Sequence, residues 1–258
     1  MNKLIFSVLA ACSLLLGGCY QMQMQRQARN SNVVVLDIGH YYHPERGGQG
    51  ARTPNAKYGS IEETEFWYKY AIYVKQEIEA AGYQCIICNR GATPNNARLA
   101  AAGKRAGVHQ INSEFVTGVY RSSHHPDRMA VGMRSADYAL DQKPAAVIFL
   151  HHNSNSESWL VCNKGAFYCN EEGVGLARTM AKVMNTDIMN VSMPNNGVPC
   201  GIVLRNDGRK GGGDWLNTCD DSYVPAVITE VAYLSKHENA VKFSRAIGKG
   251  VVTYLKNR

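Results

Sequence analysis

Four residues whose side chains can bind a metal ion or transfer a proton stand at the ends of predicted strands or at the start of a predicted helix: His40, Glu63, His151 and Glu230. Two imidazoles and one carboxylate, with a fourth position left open, are the ligand set of a catalytic zinc ion. A second carboxylate beside such an ion can accept a proton from an attacking water molecule. These residue types therefore predict a zinc-dependent hydrolytic site, provided that the fold brings them together.

Three of the four residues lie at the end of a predicted strand. The strands are predicted at residues 33–38, which lead into His40, at residues 145–150, which lead into His151, and at residues 226–231, which include Glu230. Their apolar, largely β-branched composition is typical of strands buried on both faces. Because ligands bind beyond the carboxyl ends of the strands in open α/β sheets, we expect all three side chains at one sheet edge.

Glu63 lies at the start of a predicted helix. Apolar residues recur at three- and four-residue spacing from Phe66 to Ala81, and Gly82 ends the pattern. The sequence Ser60-Ile61-Glu62-Glu63 also fits a capping box, in which a glutamate bonds back to the backbone of the serine. Glu63 could therefore bind a metal ion or cap its own helix.

The other three residues also have structural alternatives. His151 and His152 are adjacent on a strand and point to opposite faces, so at most one of them can face the site. His40 could simply cap a loop, and His43, three positions further on, could serve in its place. Glu230 is the most informative of the three, because a carboxylate within a buried strand is costly unless it is paired or functional.

Predicted strands and helices alternate along the chain. Further strands are predicted at residues 83–88 and 201–204, helices at 95–106, 129–140, 172–190 and 238–255, and loops at 41–59, 153–170 and 206–222. This alternation predicts an α/β fold, a three-layer sandwich with a central twisted, mostly parallel sheet flanked by helices. We expect one catalytic domain over residues 33–258, with an insertion at about residues 91–127 that could cover the site.

The N-terminal sequence is typical of a secretory leader. A positive charge at Lys3 precedes a mostly apolar run from Leu4 to Leu16, which is too short to span a bilayer. Its end, Leu16-Gly17-Gly18-Cys19, resembles the lipobox of bacterial lipoproteins. The resemblance implies a signal peptide over residues 1–18 and acylation of Cys19, whereas an ordinary cleaved signal is the alternative.

A Gln-rich polar segment follows, and we interpret residues 19–32 as a flexible tether to the outer membrane on its periplasmic side. The formal net charge of the chain is +7, with 21 acidic residues interspersed. This excess is too mild to indicate a nucleic-acid partner. It suits a protein beside a membrane or a cell wall, and equally a well-solvated surface without a partner.

Cysteines indicate an oxidising compartment. Removal of Cys12 with the leader and acylation of Cys19 leave an even number: Cys85, Cys88, Cys162, Cys169, Cys200 and Cys219. Proximity favours the disulfides Cys162–Cys169 and Cys200–Cys219. Cys85 and Cys88 point to opposite faces of a predicted strand, so a bond between them would be strained. A cysteine zinc site is the alternative, but no second CxxC motif completes it.

Four segments, in order, resemble the motifs of the zinc-dependent N-acetylmuramoyl-L-alanine amidases of the type 3 class, which are cell-wall hydrolases. The segments are Asp37-Ile38-Gly39-His40, Glu63 at the head of a helix that ends in Ala81-Gly82-Tyr83, Phe149-Leu150-His151-His152-Asn153, and residues 224–235. The resemblance implies that His40, Glu63 and His151 bind Zn²⁺ and that Glu230 is catalytic. The spacing to the end of the helix matches Glu63 rather than Glu62.

The sequence departs from the family beside the proposed ligands. Tyr41 and Tyr42 stand where the family usually has two glycines, and Ala232-Tyr233 replaces a common Gly-Phe pair. No ligand is lost, so the departures concern substrate preference. We expect Tyr41, Tyr42 and Asn153 to contact the substrate.

The resemblance implies cleavage of the amide bond between N-acetylmuramic acid and the L-alanine of the peptidoglycan stem peptide. Two alternatives remain open at this point. One is a catalytically silent lipoprotein that binds peptidoglycan or activates another enzyme, and the other is a zinc peptidase or deacetylase that acts on a different cell-wall bond.

Overall fold

A sheet of seven strands forms the centre of the described part of the chain. The computed structural model describes residues 19, 22–40, 42–43, 47–48, 63–90, 93–111, 131–153, 166–184, 202–204, 223–232 and 237–258. The strands are β1 (Val33–Ile38), β2 (Tyr42–His43), β3 (Gly47–Gly48), β4 (Gln84–Asn89), β5 (Val108–Gln110), β6 (Ala146–Asn153), β7 (Ala166–Cys169), β8 (Ile202–Leu204) and β9 (Ala226–Ala232). The helices are α1 (residues 22–30), α2 (Glu63–Ala80), α3 (Ala97–Ala106), α4 (Val131–Asp141), α5 (Val174–Met184) and α6 (His237–Lys256).

The strand order is β5-β4-β1-β6-β9-β7-β8, and β2 and β3 form a separate hairpin. The first five strands of this order are parallel to one another. Strand β7 is antiparallel to β9 and parallel to β8. The predicted α/β fold with a mostly parallel sheet is therefore confirmed.

Both faces of the sheet are covered by helices, as the apolar composition of the strands predicts. In β1, Val34 and Leu36 belong to the core cluster that includes residues of α2, α5 and α6. Val35, between them, belongs to the opposite cluster, which includes residues of α1 and α4. A strand that is covered on both sides has no polar face, which explains why its sequence is a continuous apolar run.

The structure adds short strands to two predicted loops and to the predicted insertion. The predicted loop at residues 41–59 contains the hairpin of β2 and β3, and the predicted loop at 153–170 contains β7. Within the predicted insertion at 91–127, α3 agrees with the helix predicted at 95–106 and packs on α2, whereas β5, which pairs with β4, was not predicted. These strands have two to four residues, too few to produce a recognisable pattern. Residues 112–127 lie outside the described part.

Helix α1 replaces the flexible coil predicted within residues 19–32. Met24 and Ala28 are buried, and Ala28 packs in the same cluster as Val35. One methionine and one alanine give no recognisable apolar stripe in the sequence, which explains why the sequence does not predict this helix. The predicted signal peptide lies outside the described residues. None of the described helices combines the length and the apolarity that a membrane span requires.

The cysteines of β4 follow the prediction. Cys85 lies in the cluster on the α2 side and Cys88 in the opposite cluster, and both are free thiols. Burial raises the pKa of both thiols above the ordinary value, so they are protonated and unreactive at neutral pH. Cys169 is buried in β7. Its predicted partner Cys162 and the pair Cys200 and Cys219 lie outside the described residues, so these disulfides stay predictions.

Two glycines let α6 pack closely between α2 and α5. A β-carbon at Gly248 would lie 2.7 Å from the carbonyl oxygen of Val74 and 2.7 Å from Cβ of Glu77, both in α2. One at Gly250 would lie 2.8 Å from Cα of Met180 in α5. The helix layer that supports α2 therefore depends on the absence of side chains at these two positions.

We predict that Gly248→Ala lowers the free energy of unfolding by about 1–3 kcal/mol, because the added methyl group meets backbone atoms that cannot move independently. An alanine in an unhindered helix interior would instead stabilise by about 1 kcal/mol. Chemical denaturation measures the difference. Lys242→Ala, at an exposed position of the same helix, serves as the control. A Gly248→Ala variant as stable as the wild type would contradict the close packing.

Candidate metal centre

His40 is held in an unusual backbone conformation at the end of β1. Its φ angle is 59°, in the left-handed region that non-glycine residues rarely adopt. Its carbonyl oxygen accepts hydrogen bonds from Nδ2 of Asn89 and Nε of Arg90, both at 3.2 Å. Such a conformation costs roughly 1–3 kcal/mol and persists only where the surroundings enforce it. Here it directs the imidazole of His40 to the carboxylate of Glu63.

Gly39 allows β1 and β6 to approach each other beside the site. A β-carbon at Gly39 would lie 2.6 Å from the carbonyl oxygen of Leu150 and 2.7 Å from the imidazole of His151. The backbone N–H of Gly39 donates to that same Leu150 carbonyl at 2.9 Å. The carbonyl of Gly39 in turn accepts from the hydroxyl of Thr64 at 3.1 Å, which ties the strand end to the start of α2.

Glu63 is the first residue of α2 and lies between the two histidines. Its Oε2 is 3.1 Å from Nε2 of His40, and its Oε1 is 2.8 Å from Nδ1 of His151. The side chains of Glu63 and His151 are 2% and 5% exposed, whereas that of His40 is 37% exposed. The start of a helix favours a negative charge, so the carboxylate is well placed as an anion.

The hydrogen bonds of Glu63 also control its protonation. Burial by itself raises the pKa of Glu63, but hydrogen bonds from His151 and His40, together with the charges of the two rings, outweigh burial and bring the pKa far below its usual range. The carboxylate is therefore ionised at neutral pH. An ionised carboxylate is the form that binds metal ions.

The three side chains have the geometry of a metal site. Ligand atoms of His40, Glu63 and His151 all lie within 4.8 Å of one another. Neighbouring ligand atoms of a tetrahedral zinc ion are about 3.3–3.5 Å apart, given metal–ligand distances of about 2.0–2.2 Å. The two contacts of Glu63 are 2.8 and 3.1 Å, so small movements would make room for an ion. The half-exposed ring of His40 leaves one side open for a further ligand.

A second set of hydrogen bonds supports His40 from behind. Nδ2 of Asn89 also donates to the carbonyl of Ile38 at 3.0 Å, and Oδ1 of Asn89 accepts from the hydroxyl of Tyr68 at 3.2 Å. Nε2 of Gln110 donates to the oxygen of Tyr68. These bonds connect β1, β4, α2 and β5, so the conformation at residue 40 is anchored in four elements.

Sequence analysis missed Asn89, although the signal was present. Asn89 is a polar residue at the carboxyl end of a buried strand, the same feature that identified His40 and His151. An asparagine is a weak metal ligand, so its position at the end of β4 does not by itself predict a residue of the metal site.

For two of the predicted site residues, Glu230 and Asn153, the structure describes the backbone position alone. The Cα of Glu230 pairs with that of His151 in the β6–β9 register, and Asn153 pairs with Ala232. The side chains of Glu230, Asn153 and His152, the whole of Tyr41, and the side chain of His43 lie outside the described part of the structure. His40, Glu63 and His151 are the three that the structure brings together.

The structure gives Tyr42 a different role from the predicted substrate contact. Its ring is only 3% exposed and belongs to the core cluster on the α2 side. Its hydroxyl donates to Oδ1 of Asn95 at 2.7 Å, and burial raises the pKa of this hydroxyl. Tyr42 therefore lies in the core two residues after His40.

Comparison with known proteins gives similarity among solved structures alone. No protein-family model and no curated protein matches the sequence. Among solved structures, the chain is similar to the N-acetylmuramoyl-L-alanine amidase AmiC2 of Nostoc punctiforme, with 16% identity and a TM-score of 0.49 over 87% of this chain and 97% of that chain. A function for this protein therefore has to come from its own residues.

We predict that Asn89→Ala weakens the binding of a divalent metal ion by about 10- to 100-fold, because residue 40 loses hydrogen bonds that hold its backbone. Competition with a chromophoric chelator measures the affinity. Asn96→Ala is the matched control, since Asn96 caps α3 with hydrogen bonds to the backbone N–H groups of Arg98 and Leu99. The control should lose about 1 kcal/mol of stability and keep its affinity for the metal ion. A folded Asn89→Ala variant with wild-type affinity would contradict the positioning role.

The lowered pKa of Glu63 predicts a pH dependence in the metal-free protein. The stability that its carboxylate contributes is fully present above the pKa of the unfolded chain, about 4.3, and is lost as the pH falls toward the lower pKa of the folded state. The difference in unfolding free energy between wild type and Glu63→Gln should therefore shrink as the pH falls from about 6 to about 3. Glu79→Gln, at an exposed position of the same helix, is the control for the loss of one carboxylate. A constant difference for Glu63→Gln would refute the assignment.

Proposed function

We propose that this protein is a zinc-dependent cell-wall amidase that cleaves the bond between N-acetylmuramic acid and the L-alanine of the stem peptide. The observation that carries the proposal is the convergence of His40, Glu63 and His151 at the carboxyl edge of the sheet. The choice of bond rests on the four ordered motifs that resemble the type 3 amidases. Peptidoglycan is accordingly the proposed substrate and partner.

Zinc is the proposed ion because two imidazoles and one carboxylate with an open position match its catalytic ligand set. When bound, zinc lowers the pKa of water to about 7 and polarises a carbonyl group. The buried carboxylate of Glu63, charged at neutral pH, would balance part of the charge of the ion. His40, the most exposed of the three, borders the side on which water and the substrate would enter.

Glu230 is the proposed general base. Its backbone pairs with His151 in the sheet, which supports a place beside the metal ligands. The carboxylate would accept a proton from the attacking water and deliver it to the nitrogen of the leaving L-alanine. Delivery of this proton accompanies cleavage of the C–N bond and gives a carboxylic acid and an amine, which exchange protons with solvent to become a carboxylate and an ammonium group. Asn153 and Tyr41 remain proposed substrate contacts, since each is close in sequence to a ligand.

We also propose that Cys19 is acylated and that the protein is held on the outer membrane, facing the periplasm. Cys19 is exposed and its thiol is free, as an acylation site requires. Helix α1, which follows shortly after Cys19, packs on the central sheet and limits the distance between Cys19 and the catalytic domain. The proposed anchor therefore lies close to the catalytic domain.

We predict that Glu230→Gln keeps its zinc and loses at least about 100-fold in activity, because an amide cannot accept the proton. Purified peptidoglycan is digested, and newly formed L-alanine amino termini are counted while zinc content is measured in parallel. Glu238→Gln, at an exposed position of α6, should match the wild type. Glu63→Gln should lose both zinc and activity.

The products distinguish the proposal from its alternatives. Equal release by wild type and Glu230→Gln would overturn the role of Glu230. Cleavage within the stem peptide, or release of acetate, would replace the amidase with a peptidase or a deacetylase. A zinc-loaded protein that binds peptidoglycan without any new amino terminus would be a silent binding protein.

A further inference from the structure

A cavity lies at the amino ends of the strands, at the opposite end of the sheet from the metal centre. Its volume is about 620 Å³, within the range of ligand sites. Its wall includes Arg29, Tyr83, Glu172, Tyr223, Tyr254 and Arg258. Tyr83 and Tyr223 precede β4 and β9, so the cavity and the metal centre are separated by the length of the strands, roughly 20 Å.

Two guanidinium groups give the cavity a positive wall. Arg258 is fixed by hydrogen bonds to the carbonyls of Ala145 at 3.0 Å, Arg29 at 3.1 Å and Ser31 at 3.4 Å. Burial lowers the pKa of Arg258, the nearby phenols of Tyr254 and Tyr83 oppose this effect, and the charge of Arg29 adds to it. Both cations and both phenols therefore lie close together, and among the described residues of the wall Glu172 supplies an acidic side chain.

The wall is preformed by hydrogen bonds outside the cavity. Asn170 donates to the carbonyl of Val224 at 2.7 Å and accepts from the backbone N–H groups of Ala226 at 2.9 Å and Gly173 at 2.8 Å. These bonds fix the turn that carries Glu172 against the segment that carries Tyr223. Tyr223 itself has a φ angle of 57°, a strained conformation. A ligand would thus meet groups that are already in place.

We propose that this cavity binds the phosphate group of an anionic ligand between Arg29 and Arg258. Guanidinium groups bind phosphate oxygens through paired hydrogen bonds, and the hydroxyls of Tyr83 and Tyr254 supply further donors. The ligand has two conceivable sources with the same chemistry, a phospholipid headgroup or a soluble phosphate ester. Helix α1, which contributes Arg29, begins shortly after Cys19, so a lipid surface would be within reach of the cavity.

The test uses the full chain with Cys19→Ser, so that acylation cannot hold the protein on a membrane. Cosedimentation measures binding to phosphatidylglycerol vesicles and to neutral phosphatidylcholine vesicles, and calorimetry measures binding of glycerol 3-phosphate. Arg29→Gln combined with Arg258→Gln should weaken binding at least about tenfold. Arg98→Gln combined with Arg105→Gln removes the same charge from exposed positions of α3 and is the matched control. Arg29→Gln alone tests the site if loss of Arg258 impairs folding.

The outcomes distinguish a phospholipid headgroup from a soluble phosphate ester, or show that the cavity is not a phosphate site. Selective binding to phosphatidylglycerol vesicles that depends on the two arginines supports a headgroup, and equally dependent binding of glycerol 3-phosphate supports a soluble ligand. Equal weakening in the control would mean diffuse surface charge and would overturn the proposal, as would the absence of binding in both assays. None of these readouts involves cell-wall cleavage, so the result is independent of the proposed amidase activity.

Discussion

The candidate centre depends on one buried carboxylate that is shared by two imidazoles. Without His40 and His151, burial would favour the neutral form of Glu63 and the helix would begin with an uncompensated polar group. With them, the carboxylate is an anion in nearly dry surroundings. Proton and metal ion are then competitors for the same three side chains, because each imidazole must give up its proton before it can bind a metal.

The rest of the sheet edge keeps these groups in place. A glycine brings two strands together, a threonine joins the strand to the helix, and an asparagine holds a histidine in a conformation that it would not adopt alone. Each contact uses the backbone of residues 38–40 rather than their side chains. The precision of the site therefore resides in hydrogen bonds to main-chain atoms, which a comparison of side-chain types does not reveal.

The parallel arrangement and the closeness of His40 and His151 were predictable from sequence for one reason. Long apolar runs identify central strands, and central parallel strands deliver their last residues to a common edge, so His40 and His151 could be placed together without coordinates. Short edge strands gave no such signal. Strand β5, with three residues, and β7, with four, depend on pairing with neighbours that lie far away in sequence.

The substrate contact predicted for Tyr42 and the coil predicted within residues 19–32 differ from the structure. Both predictions used only polarity and position in the sequence. A tyrosine beside a ligand suggested contact with substrate, yet its ring fills the core and its hydroxyl has a partner in Asn95. A Gln-rich segment suggested a coil, yet one alanine and one methionine were enough to dock a helix. Burial depends on the whole fold, which local sequence does not contain.

Because α1 packs on the sheet, the folding unit begins before Val33 and includes residues 22–30. A recombinant version that began at Val33, where the sequence places the start of the domain, would lack Met24 and Ala28 and would expose the apolar surface around Val35. Truncation at that point would remove part of the core along with the leader. Soluble, crystallisable material should instead begin no later than residue 22, upstream of the helix.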